Sequence, residues 1–157
     1  MPPTAERLYL DWNATAPVSA TAREAAIAAL SNLGNASSIH AEGRGARAVV
    51  ERTRRRLGEI FGVDHEAVTF TSGGTEANAM ALAPGTAKEG RRTERLVVSA
   101  VEHPAVLAGG RFDPAATTVI PVTGDGIIDL SALEEALAAD EIAALVSVMA
   151  ANNETGV

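Results

Sequence analysis

Polar, irregular stretches and helical spacing alternate in the first part of the chain. Residues 7–10 (RLYL) predict a short strand, followed by an irregular segment, DWNATAP. Ser19 suits an N-cap, because its hydroxyl can accept a bond from one of the first backbone N–H groups; residues 20–31 then predict a helix that ends near Gly34. A second irregular segment, GNASSIHAEGRG, leads into the clearest helix of the chain. Its apolar positions Ala46, Val49, Val50, Leu57, Ile60 and Phe61 recur every three to four residues and define one face, with Thr53 on the same stripe. The arginines at 44, 47, 52, 54, 55 and 56 fall mostly outside that face. The cluster at 52–56 predicts a solvated surface, with an acidic partner as the alternative, and Gly62 stops the helix.

Beyond residue 66 the pattern changes to a repeating alternation. Residues 67–72 (AVTFTS) predict a strand and 73–83 a helix starting directly after it. Residues 95–100 predict a second strand, followed by a loop at 101–104 and a short helical turn. Residues 117–122 predict a third strand, then the turn TGDG. A helix over 131–139, capped by Asp129 or Ser131, precedes a last strand at 143–150 that is apolar nearly throughout, as in strands covered on both faces. Four β units with intervening helices predict an α/β fold with a doubly wound, mostly parallel sheet. In such sheets ligands bind beyond the carboxyl ends of the strands. The sequence stops at such a point, so it is expected to be a truncated part of a larger domain.

Charge and composition remove several function classes. The net charge of −7 argues against nucleic-acid or anionic-membrane partners. Cysteine is absent, which excludes a disulfide scaffold, a thiolate metal site and a cysteine nucleophile within these residues. With only His40, His65 and His103, an all-histidine metal cage is not expected. There is no run of 18 apolar residues and no basic start followed by an apolar stretch, so a cytoplasmic protein is expected. Lys88 is the only lysine, hence the one candidate for any lysine chemistry in this sequence.

Candidate chemistry concentrates where strands give way to helices. In TSGGTEAN (71–78) a strand–Gly-Gly-Thr–helix turn would expose N–H groups at the positive end of a helix, with the hydroxyls of Thr71, Ser72 and Thr75 as further donors. That suits a phosphate; the alternative is a tight turn in which glycine is merely permissive. It is not a P-loop, since GxxxxGK[ST] is missing. EGRGARA (42–48) formally matches GxGxxA, but no strand precedes it, so it is rejected as a dinucleotide fingerprint. His103, in Glu102-His103-Pro104, would face the ligand crevice and suit proton transfer or ring stacking. The alternative is a loop histidine bonded to backbone. Asn152, Asn153 and Glu154 would orient a ring hydroxyl or a carboxylate, or simply form a turn. His40 is either a ligand-loop residue or a capping contact.

Taken together, LYLDWNATAPV, NASSIH, VTFTSGGTEAN, VSAVEHPAV, GDGIIDL and VSVMAANNETGV resemble the cysteine desulfurases of the class V aminotransferases, which use pyridoxal 5'-phosphate. The resemblance spans essentially the whole chain, in the family's order and approximate spacing. It implies that Gly74 and Thr75 anchor the phosphate. It further implies that His103 stacks on the pyridine ring and moves protons, and that Asn153 contacts the ring hydroxyl and substrate. Ala14, Thr15 and His40 match loops near the active site. Residues 1–15 would belong to a small domain and 16–157 to an incomplete cofactor-binding large domain.

The resemblance also implies L-cysteine as substrate, a sulfur-acceptor protein as partner, a homodimer, and delivery of sulfur to iron–sulfur cluster assembly or thiolation. The family usually has Asn at the position of Ala79 and Pro at that of Ala36. Its cofactor-binding lysine, ring-nitrogen aspartate, substrate arginine and persulfide cysteine match nothing here and lie further along in the family. Lys88 sits at the far end of a helix from the phosphate turn, in a charged loop, so it is not expected to substitute. These 157 residues alone are therefore expected to be inactive on cysteine. A selenocysteine lyase or related class V enzyme, and a non-catalytic half requiring a partner chain, are the alternatives.

Overall fold

A computed structural model describes residues 8–86, 90 and 92–157. The chain divides into two compact units, one ending at Phe70 and the other beginning at Thr71.

The first unit is helical. Helix α1 (Ala20–Leu30) is capped by the Ser19 hydroxyl, which accepts the Ala22 N–H, and none of its residues is buried. Helix α2 (Ala41–Phe61) begins at His40 and ends at Gly62, whose φ of 65° is the left-handed conformation that glycine adopts without a Cβ penalty. The glycines of EGRGARA lie inside α2. A Cβ on Gly43 would stand 2.4 Å from the Ser38 carbonyl oxygen, so glycine here lets the preceding loop lie against the helix. This is a packing role, in line with rejecting the dinucleotide reading. Arg54 departs from the solvated face expected of its cluster. It donates to the Val68 carbonyl and lies 5.0 Å from the Phe70 ring centroid, tying the segment after α2 back onto the helix.

The second unit holds the sheet. Helix α3 (Gly74–Ala81) is followed by β1 (Gly85–Thr86), β2 (Arg92–Ser99), α4 (Pro104–Leu107), β3 (Thr117–Ile120), α5 (Leu130–Ala138) and β4 (Ala143–Ser147). The centre is β2. Its residues 96–99 pair in parallel with β3, and residues 93–98 pair in parallel with β4. Two such overlapping ladders must occupy opposite edges, which gives the order β3-β2-β4. The two-residue β1 adds an antiparallel pairing to the start of β2. The α/β class and the mostly parallel sheet are thus as the alternation predicts.

Leu96, Val97, Val98 and Ser99 are fully buried at the heart of this unit. Leu96 and Val98 share one face of β2 by the two-residue period of a strand. They cluster with Leu82 beyond α3, Val106 in α4, and Phe112. The helices that carry the candidate residues therefore rest on the centre of the sheet.

Two expected strands do not form. Residues 8–10 and 67–72 contain none; Asp64 instead caps a single 3₁₀ turn at His65–Ala67. Both segments lack a pairing partner among the described residues, and a strand exists only as half of a ladder. The strand at 143–150 is shorter than expected and half-buried rather than buried.

Candidate functional site

Helix α3 opens at Gly73 with no side-chain cap. The first N–H groups of a helix have no acceptor within it, so those of Gly74 and Thr75 remain as donors at its positive end. Two of the three hydroxyls expected to help them are already used. Thr71 donates to the Gly73 carbonyl at 3.0 Å, and the Ser72 hydroxyl donates to Glu76 at 2.7 Å. The Ser72 N–H also donates to Glu76, at 2.7 Å. Among the described residues no hydrogen bond engages the Thr75 hydroxyl.

These two bonds, from the Ser72 hydroxyl first and its N–H second, hold the Glu76 carboxyl below its ordinary value. Its negative charge opposes a bound anion, so the capacity of the turn rests on Gly74 and Thr75. A carboxyl whose folded value is depressed supports the folded turn above its unfolded value and loses that support as pH falls through the folded one. The Ser72–Glu76 clasp is therefore expected to open on acidification below the usual glutamate range. The Ser72 amide proton, followed by NMR, should shift with that titration in the wild type and not in Glu76→Gln. An unchanged Ser72 signal across the acid range would contradict it.

A Cβ added to Gly73 or Gly74 meets no atom within 4 Å among the described residues other than its chain neighbours and its own helix, and Gly73, at φ 171°, is extended. Neither packing nor backbone strain requires glycine at this turn.

His103 lies four residues beyond β2 and caps α4, its Nδ1 accepting the Ala105 N–H at 3.0 Å. An accepting Nδ1 leaves the proton of the neutral ring on Nε2. The ring is exposed, so the capping bond orients it without occupying its second nitrogen. Helices α3 and α4 pack against each other, which brings the Gly-Gly-Thr turn and the His103 helix into one layer.

Asn153 lies beyond β4, exposed, with its Nδ2 donating to Glu154 at 2.9 Å. Asn152 takes the turn-forming role. Its Oδ1 accepts the N–H groups of Glu154 and Thr155, and its Nδ2 donates to the Val101 carbonyl at 3.0 Å. A cavity of about 360 Å³ lies at this end of the sheet, lined by Ser99, Val101, Ile127, Met149 and Asn152 among others. The predicted residues His103 and Asn153 do not line it.

In the first unit, His40 caps α2. Its Nδ1 lies 2.9 Å from Glu42 Oε2 and 3.4 Å from the Gly43 N–H. One nitrogen cannot donate to the first and accept from the second at once, so the tautomer decides between a contact to Glu42 and the cap on Gly43. Either way His40 is engaged locally, as the capping alternative expects. Ala14 and Thr15 belong to a turn organised by Asp11, whose side chain and carbonyl accept their N–H groups. Lys88 lies outside the described residues. Glu102, a buried carboxylate, is not among the residues expected from the sequence; its place beside His103 at a strand end is the signal that marks it.

The sheet is mostly parallel with helices between its strands, the arrangement of an α/β domain, and the chain belongs to a particular family of them. Residues 8–157 match the aminotransferase class-V family. The chain is 41% identical over 157 residues to an IscS-like cysteine desulfurase of Mycobacterium tuberculosis, covering 94% of this chain and 39% of that protein. It is 39% identical over 161 residues to a cysteine desulfurase of Homo sapiens, covering 99% of this chain and 35% of that one. The structure of a NifS-like protein from Rickettsia africae superimposes with a TM-score of 0.81 at 32% identity, over 97% of this chain and 42% of that chain. The chain thus spans about two fifths of the length of the relatives it matches.

Proposed function

We propose that this chain belongs to the cofactor-binding domain of a pyridoxal phosphate-dependent cysteine desulfurase. The observation that carries this reading is the Gly73-Gly74-Thr75 turn. It has glycines with no intrachain reason to be glycine, N–H groups at a helix start and an unengaged hydroxyl. Close approach by something outside the chain accounts for all three, and a phosphate is the group such a turn suits. The similarity to cysteine desulfurases supports the choice of cofactor.

In this reading Gly74 and Thr75 hold the phosphate. The His103 ring, oriented by its cap, stacks on the cofactor ring, and Nε2 carries the mobile proton. Asn153 orients the ring hydroxyl and the substrate. Bound pyridoxal phosphate supplies an electron sink for charge developing beside the substrate amino group. The net conversion takes L-cysteine and a protein thiol to L-alanine and a protein persulfide. An acceptor protein then removes the sulfur for iron–sulfur assembly or thiolation. A homodimer, a cytoplasmic location, and a small domain that includes residues 1–15 complete the proposal. Seven apolar side chains between residues 8 and 39, among them Leu10, Trp12 and Leu33, are more than three-fifths exposed, which suits burial against further protein.

Two measurements test the reading. The complete gene product should release alanine and form persulfide from L-cysteine. The 157 residues alone, with no cysteine and one lysine, should do neither above a cofactor-only control. Turnover of selenocysteine but not cysteine would move the assignment to a selenocysteine lyase. Gly74→Val, whose side chain would extend from an open Cβ position, should leave thermal stability unchanged and weaken pyridoxal phosphate retention at least about tenfold. Full retention would remove the turn from the site.

A further inference from the structure

The two proposed ring-contacting residues share a pattern: each is exposed and directly follows a buried polar residue. Glu102 precedes His103 with 7% of its surface exposed, and Asn152 precedes Asn153 with 8%. Glu102 Oε1 accepts the Met149 N–H at 2.5 Å and the Ser99 hydroxyl at 3.2 Å. The first bond crosses from the turn after β2 to the segment after β4. A second bond joins the same two segments with side chain and backbone exchanged: Asn152 Nδ2 donates to the Val101 carbonyl at 3.0 Å. Its Oδ1 meanwhile holds the turn at Glu154 and Thr155.

We infer that Glu102 and Asn152 are positioning residues, forming a two-point clamp that fixes the loop bearing His103 against the loop bearing Asn153. The two loops belong to different strands, and nothing in the ladders, which end at Ser99 and Ser147, constrains them beyond that point. A single bridging bond leaves a hinge about its own axis. Two bonds separated along the loops, one using a side chain of the turn after β2 and the other a side chain of the segment after β4, remove it. Both bonds are part-buried and made by the buried side chains of Glu102 and Asn152, for which an unmade bond carries a desolvation penalty. Displacement of a reacting group by about 1 Å is enough to lose roughly a hundredfold in rate, so residues that touch no substrate can still govern turnover.

The inference rests on the proposed roles of His103 and Asn153, and its test separates the two. In the complete gene product, hydrogen exchange of the Met149 amide reports the clamp with or without cofactor. Turnover per bound cofactor and the visible absorbance of that cofactor report positioning. Glu102→Ala should speed Met149 exchange at least about tenfold, shift the absorbance and lower turnover per bound cofactor by a similar factor. Glu102→Gln keeps an oxygen that can accept both bonds and should restore most of each. Asn152→Asp keeps the Oδ1 acceptor but removes the Nδ2 donor. It should lower turnover without unfolding the turn, which keeps the inference testable if Glu102→Ala does not fold.

Faster Met149 exchange with unchanged absorbance and turnover would reduce the clamp to a structural contact and overturn its positioning role. Unchanged exchange in Glu102→Ala would remove the clamp itself. A wild-type protein that protects Met149 but shows no cofactor absorbance would refute the functional reading, and with it the positioning role, while leaving the contact in place.

Discussion

Replacing His103 by alanine in the complete gene product is expected to lower cysteine turnover by about 10²–10⁴-fold, the usual worth of a positioned proton-transfer group. In the proposed reading this histidine has two separable duties. Its Nδ1 accepts the Ala105 N–H and so starts α4; its outward nitrogen is the one available for chemistry. Alanine removes both, and loss of the cap alone would destabilise by about 1 kcal/mol. Asparagine separates them, because its side-chain oxygen can accept the same N–H but cannot carry a proton at neutral pH. His103→Asn should therefore match wild type in urea unfolding and match His103→Ala in turnover. Recovery of turnover in the asparagine variant would leave His103 as a helix cap and nothing more.

The same duality explains how much of the site was legible. The sequence puts the Gly-Gly-Thr turn and His103 where a strand pattern gives way to a helix pattern, and the paired asparagines directly after the last strand. It offered a bland and a chemical role for each, and the structure displays the bland one at His103 and Asn152: both cap or shape a turn. A capping bond uses one atom of a side chain, so it does not exhaust the residue. What the sequence could not reveal is which donors are already spoken for. That depends on Glu76 folding back to Ser72 and on Glu102 reaching Met149 across 47 positions of sequence.

The missing strands have a related cause. Val68, Thr69 and Phe70 alternate as a strand should, and Val68 even has extended dihedrals. Propensity of this kind measures how well side chains sit on a pleated surface next to neighbours. Without a partner ladder the segment remains single and is tied down by Arg54 instead. Helix boundaries were easier. Ser19, Gly62 and Asp129 act through bonds to residues two to four positions away, so their signals are local.

Leu96→Ala is expected to be the most damaging single truncation in the second unit, at about 2–5 kcal/mol. Leu96 is 0% exposed and sits in the strand that, among the described residues, is paired on both edges, opposite Thr117 on β3 and Leu145 on β4. Its side chain packs with Leu82, Val98, Val106 and Phe112, so a cavity there cannot collapse without moving α3 or α4. That loss is a large part of the 5–15 kcal/mol that holds a typical domain folded. Val119→Ala, at a position 52% exposed on the neighbouring strand, should cost under about 1 kcal/mol and serves as the control. Urea unfolding should show a lower midpoint for Leu96→Ala with an unchanged slope, the signature of lost stability rather than an altered unfolded state. Equal midpoints for the two variants would mean the core does not lie under β2. Because α3 and α4 bear the Gly-Gly-Thr turn and His103, the truncation should also loosen cofactor retention before the protein unfolds. The groups proposed to hold the cofactor and the side chain that holds the sheet would then be linked through the same few buried residues.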